Sequence, residues 1–124
     1  MKILIVEDNL DRITYFKELL KEHDLFITKD IMIALDYMRL TEIDIAFLDH
    51  DLDENNLNSL NNGYELVKKI TELKTGENAL YYIHSMNPAG ANKMVSLLKD
   101  NGYYAEWFPF HLLREKNKYL KEER

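Results

Sequence analysis

The sequence predicts an α/β protein built on a parallel sheet of five strands. Short apolar runs, often β-branched, alternate with stretches in which apolar residues recur at helical spacing. This alternation is typical of parallel strands joined by right-handed helical crossovers. It occurs five times in 124 residues with no linker or internal repeat, so residues 1–124 are expected to form a single domain. At this length, the doubly wound, flavodoxin-like strand order 2-1-3-4-5 is the leading arrangement.

Each predicted strand is a short apolar run that stops at polar residues. The runs at residues 3–6 and 43–48 are almost unbroken, which fits strands that are buried on both faces. The five predicted strands are residues 3–6, 25–28, 43–48, 79–83 and 103–108.

The predicted helices follow these strands, and several have recognisable terminal residues. Asp30 can cap the second helix, and Asn87 followed by Pro88 is a typical helix start. Gly76 and Gly102 are expected to help end the third and fourth helices. The Asn-rich residues 53–62 are predicted as a loop, and residues 111–121 as a last amphipathic helix.

The composition excludes several kinds of site. The chain has no cysteine, which rules out disulfides, thiolate nucleophiles and Cys-based zinc sites. Its formal net charge of −6 disfavours general nucleic-acid binding, because phosphate neutralisation needs a basic surface. No apolar run approaches the roughly 20 residues of a membrane span, and no signal-peptide pattern is present. We therefore expect a cytoplasmic protein that does not contact membranes.

Acidic residues follow the first and third predicted strands, where the strand order reverses. Open α/β sheets bind ligands at this switch point, outside the carboxyl ends of the strands. Glu7, Asp8 and Asp49 would repel one another there unless a cation lay between them, and Mg²⁺ prefers carboxylate oxygens. A single acid of this kind more often caps the next helix. Three acids at one switch point favour a site, and Asp51 extends this acidic group.

Two histidines extend the polar edge. His50 lies between Asp49 and Asp51, and His84 follows the fourth strand. An imidazole can ligate a metal, relay a proton or stabilise a phosphoryl oxygen. Either histidine alone is explained more simply by hydrogen bonds to backbone groups. Two histidines beside carboxylates favour one of these functional roles.

A helix start directly after His84 is a candidate phosphate site. Ser85 and Asn87 lie at this start, and Gly90 permits close approach of a ligand. Free N–H groups and the positive end of the helix dipole favour an anion there. An ordinary capped helix also explains Asn87 and Pro88, although it does not explain the preceding His-Ser pair.

The skeleton resembles the receiver domain of two-component response regulators up to about residue 110. The resemblance implies that Asp49 is the phospho-accepting aspartate after the third strand. It implies an Mg²⁺ site as well, with a further ligand from a backbone carbonyl. The other positions matched to receivers are Glu7-Asp8 as the metal-holding pair, Asp51 as the carbonyl ligand, and His84 or Ser85 near the Thr/Ser switch position.

The chain also departs from receivers. Where they carry a Lys-Pro pair after the fifth strand, this chain has Phe108-Pro109, so that phosphoryl-binding lysine is absent. The strings Leu-Asp-His-Asp-Leu (48–52) and Ile-His-Ser-Met-Asn-Pro-Ala-Gly-Ala (83–91) resemble a receiver offshoot, the cyclic-phosphate-processing receiver-like domains. This resemblance implies a role on cyclic phosphates or cyclic nucleotides rather than in phosphorelay.

The leading hypothesis is therefore a metal-dependent phosphoesterase that binds or opens a cyclic phosphate. The acids would hold Mg²⁺ or Mn²⁺, and a histidine would activate water or protonate the leaving oxygen. Asp49 is alternatively a nucleophile that forms an acyl phosphate. The assigned residues are Glu7, Asp8, Asp49 and Asp51 for the metal, His50, His84, Asp49 and Asp51 for catalysis, and Ser85, Asn87 and Gly90 for phosphate.

Two other hypotheses stay open. The first is an atypical stand-alone receiver, phosphorylated on Asp49, with a histidine kinase as its partner. The second is a non-catalytic interaction domain that keeps the fold and the acids without binding a metal. The leading hypothesis, in contrast with both, requires a small phosphate-containing ligand, either a cyclic nucleotide or another cyclic phosphate.

Overall fold

The computed structural model describes residues 1–52 and 60–113 and confirms the predicted sheet. Its five strands are parallel and pair in the order β2-β1-β3-β4-β5. The strands are β1 (Lys2–Val6), β2 (Asp24–Thr28), β3 (Ile45–Leu48), β4 (Leu80–Ile83) and β5 (Tyr104–Trp107). The order reverses between β1 and β3, which places the switch point at the carboxyl ends of these two strands.

Within the described residues, four helices connect these strands. They are α1 (Leu10–Leu19), α2 (Ile31–Leu40), α3 (Gly63–Leu73) and α4 (Pro88–Asp100), and residues 110–113 are also helical. Each of the four begins after a side chain that accepts a hydrogen bond from the first turn, which would otherwise leave N–H groups without partners. The capping residues are Asn9, Asp30, Asn62 and Asn87.

Both faces of the sheet are covered, as the apolar strand runs predict. Helices α2, α3 and α4 pack on one face, here called the α4 face, around residues such as Leu48 and Met94. Helix α1 and residues 110–113 pack on the other, the α1 face, around Phe16, Phe47 and Phe110. Because successive strand residues point to opposite faces, neighbouring residues at a strand end also project to opposite sides.

Most predicted boundaries move by only one or two residues. The clearest difference is the end of α3, which stops at Leu73 because Lys74 takes the left-handed conformation (φ 51°), two residues before Gly76. Gly102, with φ 83°, follows α4 as predicted. Residues 53–59 of the predicted loop and residues 114–121 of the predicted last helix lie outside the described residues. In the part of the chain that the structure describes, no helix is long and apolar enough to cross a bilayer.

Candidate functional site

Glu7, Asp49 and His84 form a row of buried polar side chains at the carboxyl edge of the sheet. Each directly follows a strand end, and the N–H groups of Asp49 and His84 continue the backbone ladder at 3.1 Å. One ligand atom from each of the three lies within 4.8 Å of the others. The strand-end residues that precede them are paired across the sheet: Val6, Leu48 and Ile83. The register of the parallel strands therefore assembles this group, here called the acid–histidine cluster.

The cluster lies on the α1 face because side-chain alternation continues past the strand ends. Phe47 of β3 and Tyr82 of β4 pack in the α1-face core, and Asp49 and His84 come two residues later along each chain segment. The imidazole of His84 meets the ring of Phe16 of α1 edge-on, with centroids 5.0 Å apart.

The carboxylate of Glu7 accepts hydrogen bonds at both oxygens. Oε2 accepts the backbone N–H groups of Asp8 and Asn9, at 2.9 and 3.2 Å. Oε1 lies 3.0 Å from Nε2 of His84 and 3.4 Å from Nη1 of Arg12. Burial raises the pKa of Glu7, but the hydrogen bonds from His84 and Asn9 and the charge of Arg12 outweigh burial and lower it. Glu7 is therefore a fixed, buried anion.

Asp49 is the second buried acid of the cluster. Its Oδ1 accepts the backbone N–H of His50 at 2.8 Å, and its Oδ2 lies 3.4 Å from Nη1 of Arg12. Burial and the negative charge of Glu7 raise the pKa of Asp49 to about 7, and His84, Arg12 and the His50 N–H offset this only in part. Asp49 is thus a carboxyl group that exchanges a proton near neutral pH.

Arg12 supplies a positive charge that was not among the predicted site residues. A single nitrogen, Nη1, lies 3.4 Å from both Glu7 Oε1 and Asp49 Oδ2. The guanidinium carbon lies 5.8 Å from the centroid of the Phe110 ring. Arg12 is the third residue of α1, where the helix dipole disfavours a cation. That unfavourable position is the sequence signal that points to an acidic partner.

His84 is fully buried, and its two ring nitrogens have different surroundings. Nε2 faces Glu7, whereas Nδ1 has no hydrogen-bond partner among the described residues. A proton on Nε2 is donated to the carboxylate, while a proton on Nδ1 would be buried without an acceptor. The contacts therefore favour the Nε2–H tautomer, in which His84 holds Glu7 in place.

His50 projects to the opposite, α4 face, as expected for the neighbour of Asp49. Its ring packs against Gly90 of α4, where an added Cβ would come within 2.6 Å of ring carbon Cδ2. Its Nδ1 lies 2.9 Å from Oδ1 of Asp51. The side chain of His50 is 21% exposed to solvent, whereas that of His84 is fully buried. Of these two histidines, His50 is therefore the one that a ligand can reach.

The start of α4 engages both Ser85 and Asn87 in local bonds. The Asn87 side chain accepts the N–H of Gly90 at 3.1 Å, and the buried Ser85 hydroxyl accepts the N–H of Asn87 at 3.0 Å. The indole N–H of Trp107 donates to the Ser85 carbonyl at 2.8 Å, which ties this loop to β5. These side chains act first as caps that hold the helix start against the edge of the sheet.

The other two predicted metal ligands, Asp8 and Asp51, lie beside the cluster. Asp8 is partly buried directly after Glu7. The carboxylate of Asp51 is turned towards His50, and its side chain is 53% exposed. Among the described residues, the group with ligand atoms at metal-binding separations consists of Glu7, Asp49 and His84 and includes neither the Asp8 nor the Asp51 carboxylate.

The profile of one domain family matches residues 2–100, and this family is described as the cyclic-phosphate processing receiver domain. No curated protein matches the chain.

Solved receiver structures share the fold over nearly the whole chain. The Mn(2+)-bound form of response regulator Rcp1 is 18% identical, with a TM-score of 0.67 over 98% of this chain and 89% of that one. A CheY-like receiver domain from Methylobacillus flagellatus is 21% identical, with a TM-score of 0.66 and coverage of 100% and 98%. TrrA from Thermotoga maritima, in complex with Mg(2+)-BeF, is 21% identical, with a TM-score of 0.63 and coverage of 96% and 97%.

Proposed function

Because the chain belongs to the cyclic-phosphate processing receiver domain family, we propose that it binds a divalent cation at the acid–histidine cluster and hydrolyses a cyclic phosphate ester there. The cluster carries this proposal, since its ligand atoms lie within 4.8 Å of one another at the switch point of the sheet. The ligand is a cyclic nucleotide or another small cyclic phosphate.

The donor atoms fit a divalent cation. Burial and then the charge of Glu7 raise the pKa of Asp49, and a cation between the two carboxylates would relieve their repulsion. Asp49 and Glu7 offer the carboxylate oxygens that Mg²⁺ and Mn²⁺ prefer. The neighbouring structures of Rcp1 and TrrA contain Mn²⁺ and Mg²⁺ respectively. A bound ion would polarise a phosphoryl oxygen and acidify a bound water.

The start of α4 is the place for the ligand's phosphate. The positive end of the helix dipole faces this edge, and the capping bonds of Ser85 and Asn87 hold it there. Gly90, which was expected to permit close approach of a ligand, is buried against the His50 ring, so its missing side chain makes room for that ring. The net charge of −6 does not oppose phosphate binding if a metal and a helix start supply local positive potential.

The two histidines have different roles in this proposal. Asp51 orients His50 by accepting from Nδ1, which leaves Nε2 of His50 as the basic nitrogen at the exposed edge. His50 would then take a proton from water or give one to the leaving oxygen. His84, which is buried and bonded to Glu7, is a positioning residue that fixes the carboxylate.

An assay of cyclic phosphate opening tests the proposal. The protein is incubated with 2′,3′- and 3′,5′-cyclic nucleotides and Mg²⁺ or Mn²⁺, and the monoester product is quantified. We expect turnover that EDTA abolishes and that His50→Asn lowers by about a hundredfold or more, because Asn keeps a donor to Asp51 but cannot transfer protons. His84→Gln keeps a donor to Glu7 and should retain more activity than His50→Asn.

The matched control is His23→Ala, which changes a histidine at the opposite edge of the sheet, beside the N-terminal amine. It should turn over at the wild-type rate. A folded, metal-binding wild type that opens none of these nucleotides would contradict the enzymatic part of the proposal. A larger loss in His84→Gln than in His50→Asn would reverse the two roles.

A second candidate function is that of a receiver phosphorylated on Asp49 by a histidine kinase. The observation that favours it is the position of Asp49 Oδ2, 3.4 Å from a guanidinium that can neutralise an incoming phosphoryl group. Incubation with acetyl phosphate and Mg²⁺ followed by intact mass measurement tests it. A stable phosphoryl adduct that Asp49→Asn abolishes, without cyclic nucleotide turnover, would favour this function over hydrolysis.

A further inference from the structure

We propose that Arg12 is the internal counter-ion of the acid–histidine cluster, that a divalent cation displaces it, and that the displaced guanidinium then binds the ligand's phosphate. This inference rests on the proposed function, since it concerns the same carboxylates. It adds a positioning and binding residue to that site and a defined order of cation exchange.

The arginine and a divalent cation would compete for the same oxygens. Oε2 of Glu7 already accepts two backbone N–H groups, and Oδ1 of Asp49 accepts another. The other two oxygens, Oε1 and Oδ2, both face the single nitrogen Nη1 of Arg12, and Oε1 also lies 3.0 Å from Nε2 of His84. A cation that bridges the two acids would approach these oxygens, so electrostatic repulsion and limited space disfavour both cations together.

The contacts of Arg12 are loose enough for this exchange. Both of its ion-pair distances are 3.4 Å, longer than the roughly 2.7–2.9 Å of strong charge-assisted hydrogen bonds. Its side chain keeps 25% of its exposure, whereas those of Glu7 and Asp49 are almost fully buried. The guanidinium can therefore leave the carboxylates by rotation of its own side chain, without opening the core.

A displaced guanidinium would stay at the edge of the sheet. The ring of Phe110 already lies 5.8 Å from its central carbon and offers an aromatic surface for the cation. A guanidinium presents a planar fork of donors that matches two phosphate oxygens. Among the described residues, no lysine or other arginine is ion-paired with Glu7 or Asp49, so Arg12 is the side-chain cation placed for this role.

Titration calorimetry with Mn²⁺ tests the exchange on the wild type, Arg12→Gln and a charge-matched control. The control is Arg39→Gln, an exposed residue that lines a cleft at the opposite edge of the sheet. We expect Arg12→Gln to bind Mn²⁺ roughly tenfold more tightly than the wild type, because it removes the competing cation. Arg39→Gln should differ by less than about twofold, since distant surface charges are screened.

Equal or weaker Mn²⁺ binding by Arg12→Gln would overturn the exchange and leave the metal site of the proposed function intact. If neither protein bound Mn²⁺, both proposals would fail. Binding by Arg12→Gln alone would show that Arg12 blocks the cluster and is not displaced by the cation, which would also overturn the exchange. If Arg12→Gln does not fold, Arg12→Lys can be tested in its place. The single ammonium group of lysine should bridge the two acids less well than the guanidinium, so we expect Mn²⁺ affinity about threefold above that of the wild type. No gain in Mn²⁺ affinity would overturn the exchange.

Sulfate, a tetrahedral oxyanion that stays soluble with Mn²⁺, tests the phosphate-binding step. At saturating Mn²⁺ we expect the wild type and Arg39→Gln to bind sulfate with similar affinity and Arg12→Gln to bind it at least about fivefold more weakly. Equal sulfate affinity in all three proteins would overturn this step, whatever the result of the Mn²⁺ titrations.

Discussion

Glu7 contributes to this site mainly by being an immobile anion. Both of its oxygens accept hydrogen bonds, so its orientation is set by two backbone N–H groups, a histidine and an arginine. A glutamine at position 7 would present its NH₂ group to the donors that one of the Glu7 oxygens accepts from. Because buried donors left without an acceptor are costly, the residue is as important for stability as for a ligand.

Glu7→Gln should therefore lower the free energy of unfolding by about 3 kcal/mol, since it removes the anion that pairs with His84 and Arg12. Urea unfolding at neutral pH measures this loss. Glu18→Gln is the matched control, because Glu18 is an exposed residue of α1 whose pair with Lys21 is a surface contact at 3.5 Å. A change within about 0.5 kcal/mol is expected for the control. Equal losses in the two variants would contradict the anchoring role.

Asp49 should make the metal-free protein less stable as pH rises. Its pKa is raised to about 7 in the folded protein, so the folded state binds a proton more tightly than the unfolded chain does. The stabilisation from that proton is complete below the unfolded pKa of about 4 and is lost as pH rises through about 7. Asp49→Asn should thus be more stable than the wild type at pH 8, by at least about 1 kcal/mol, with the advantage shrinking towards pH 4.

Urea titrations of metal-free protein at pH 4.5, 6 and 8 measure this difference. Asp44→Asn is a suitable control, because its carboxylate accepts the N–H of Lys2 at an exposed position far from the cluster. An advantage of Asp49→Asn that does not change with pH would show that the effect comes from packing instead of from the buried charge.

At the strand ends, the alternation of side chains between the two faces of the sheet decides which residues meet. The sequence predicted that the polar residues after β1, β3 and β4 share one edge, and the sheet order confirms that placement. Because side-chain alternation continues past the strand ends, Asp49 lies on the α1 face and His50 on the α4 face, a separation that the sequence did not predict. Arg12 was missed for a related reason, since its partners come from two other segments of the chain.

Helix docking also depends on Gly63, which no local sequence pattern marks as special. The N–H of Gly63 donates to the His50 carbonyl at 2.8 Å, and a Cβ at Gly63 would collide with the Asp49 carbonyl oxygen. Gly63 was not recognised from the sequence, because the requirement arises from the close approach of α3 to the end of β3.

The packing of α4 against His50 gives a prediction with an internal control. Alanine is a better helix former than glycine by about 1 kcal/mol, yet a Cβ at Gly90 would lie 2.6 Å from the His50 ring. Gly90→Ala should therefore destabilise the protein by about 1 kcal/mol. In a His50→Ala background the clash is absent, so the same substitution should stabilise it by about 0.5–1 kcal/mol.

Unfolding free energies of the four proteins in this cycle give the coupling between the two sites. Additive effects of Gly90→Ala and His50→Ala would show that the ring does not occupy the space at the start of α4.

For the molecule as a whole, the fold was predictable because five strand–helix alternations leave few arrangements open. The acid–histidine cluster was predictable as a location, since parallel strands deliver their carboxyl ends to one edge. Its internal chemistry was not, because burial, the Arg12 contacts and the balance between the two acids exist only after both faces of the sheet are packed. A small part of the chain's excess negative charge, that of Glu7 and Asp49, is thus buried and partly neutralised by Arg12.

The buried charge of these two acids allows a prediction of how the whole domain responds to Mn²⁺ at different pH. A cation must replace the proton on Asp49, whose pKa is about 7, so about nine-tenths of the sites are proton-free at pH 8 and about one-tenth at pH 6. The apparent Mn²⁺ affinity should therefore be about tenfold higher at pH 8, and Mn²⁺ should raise the melting temperature more there than at pH 6. Scanning calorimetry at both pH values measures this. Asp49→Asn should show little Mn²⁺-dependent shift at either pH, and equal shifts of the wild type at both would place the cation away from Asp49.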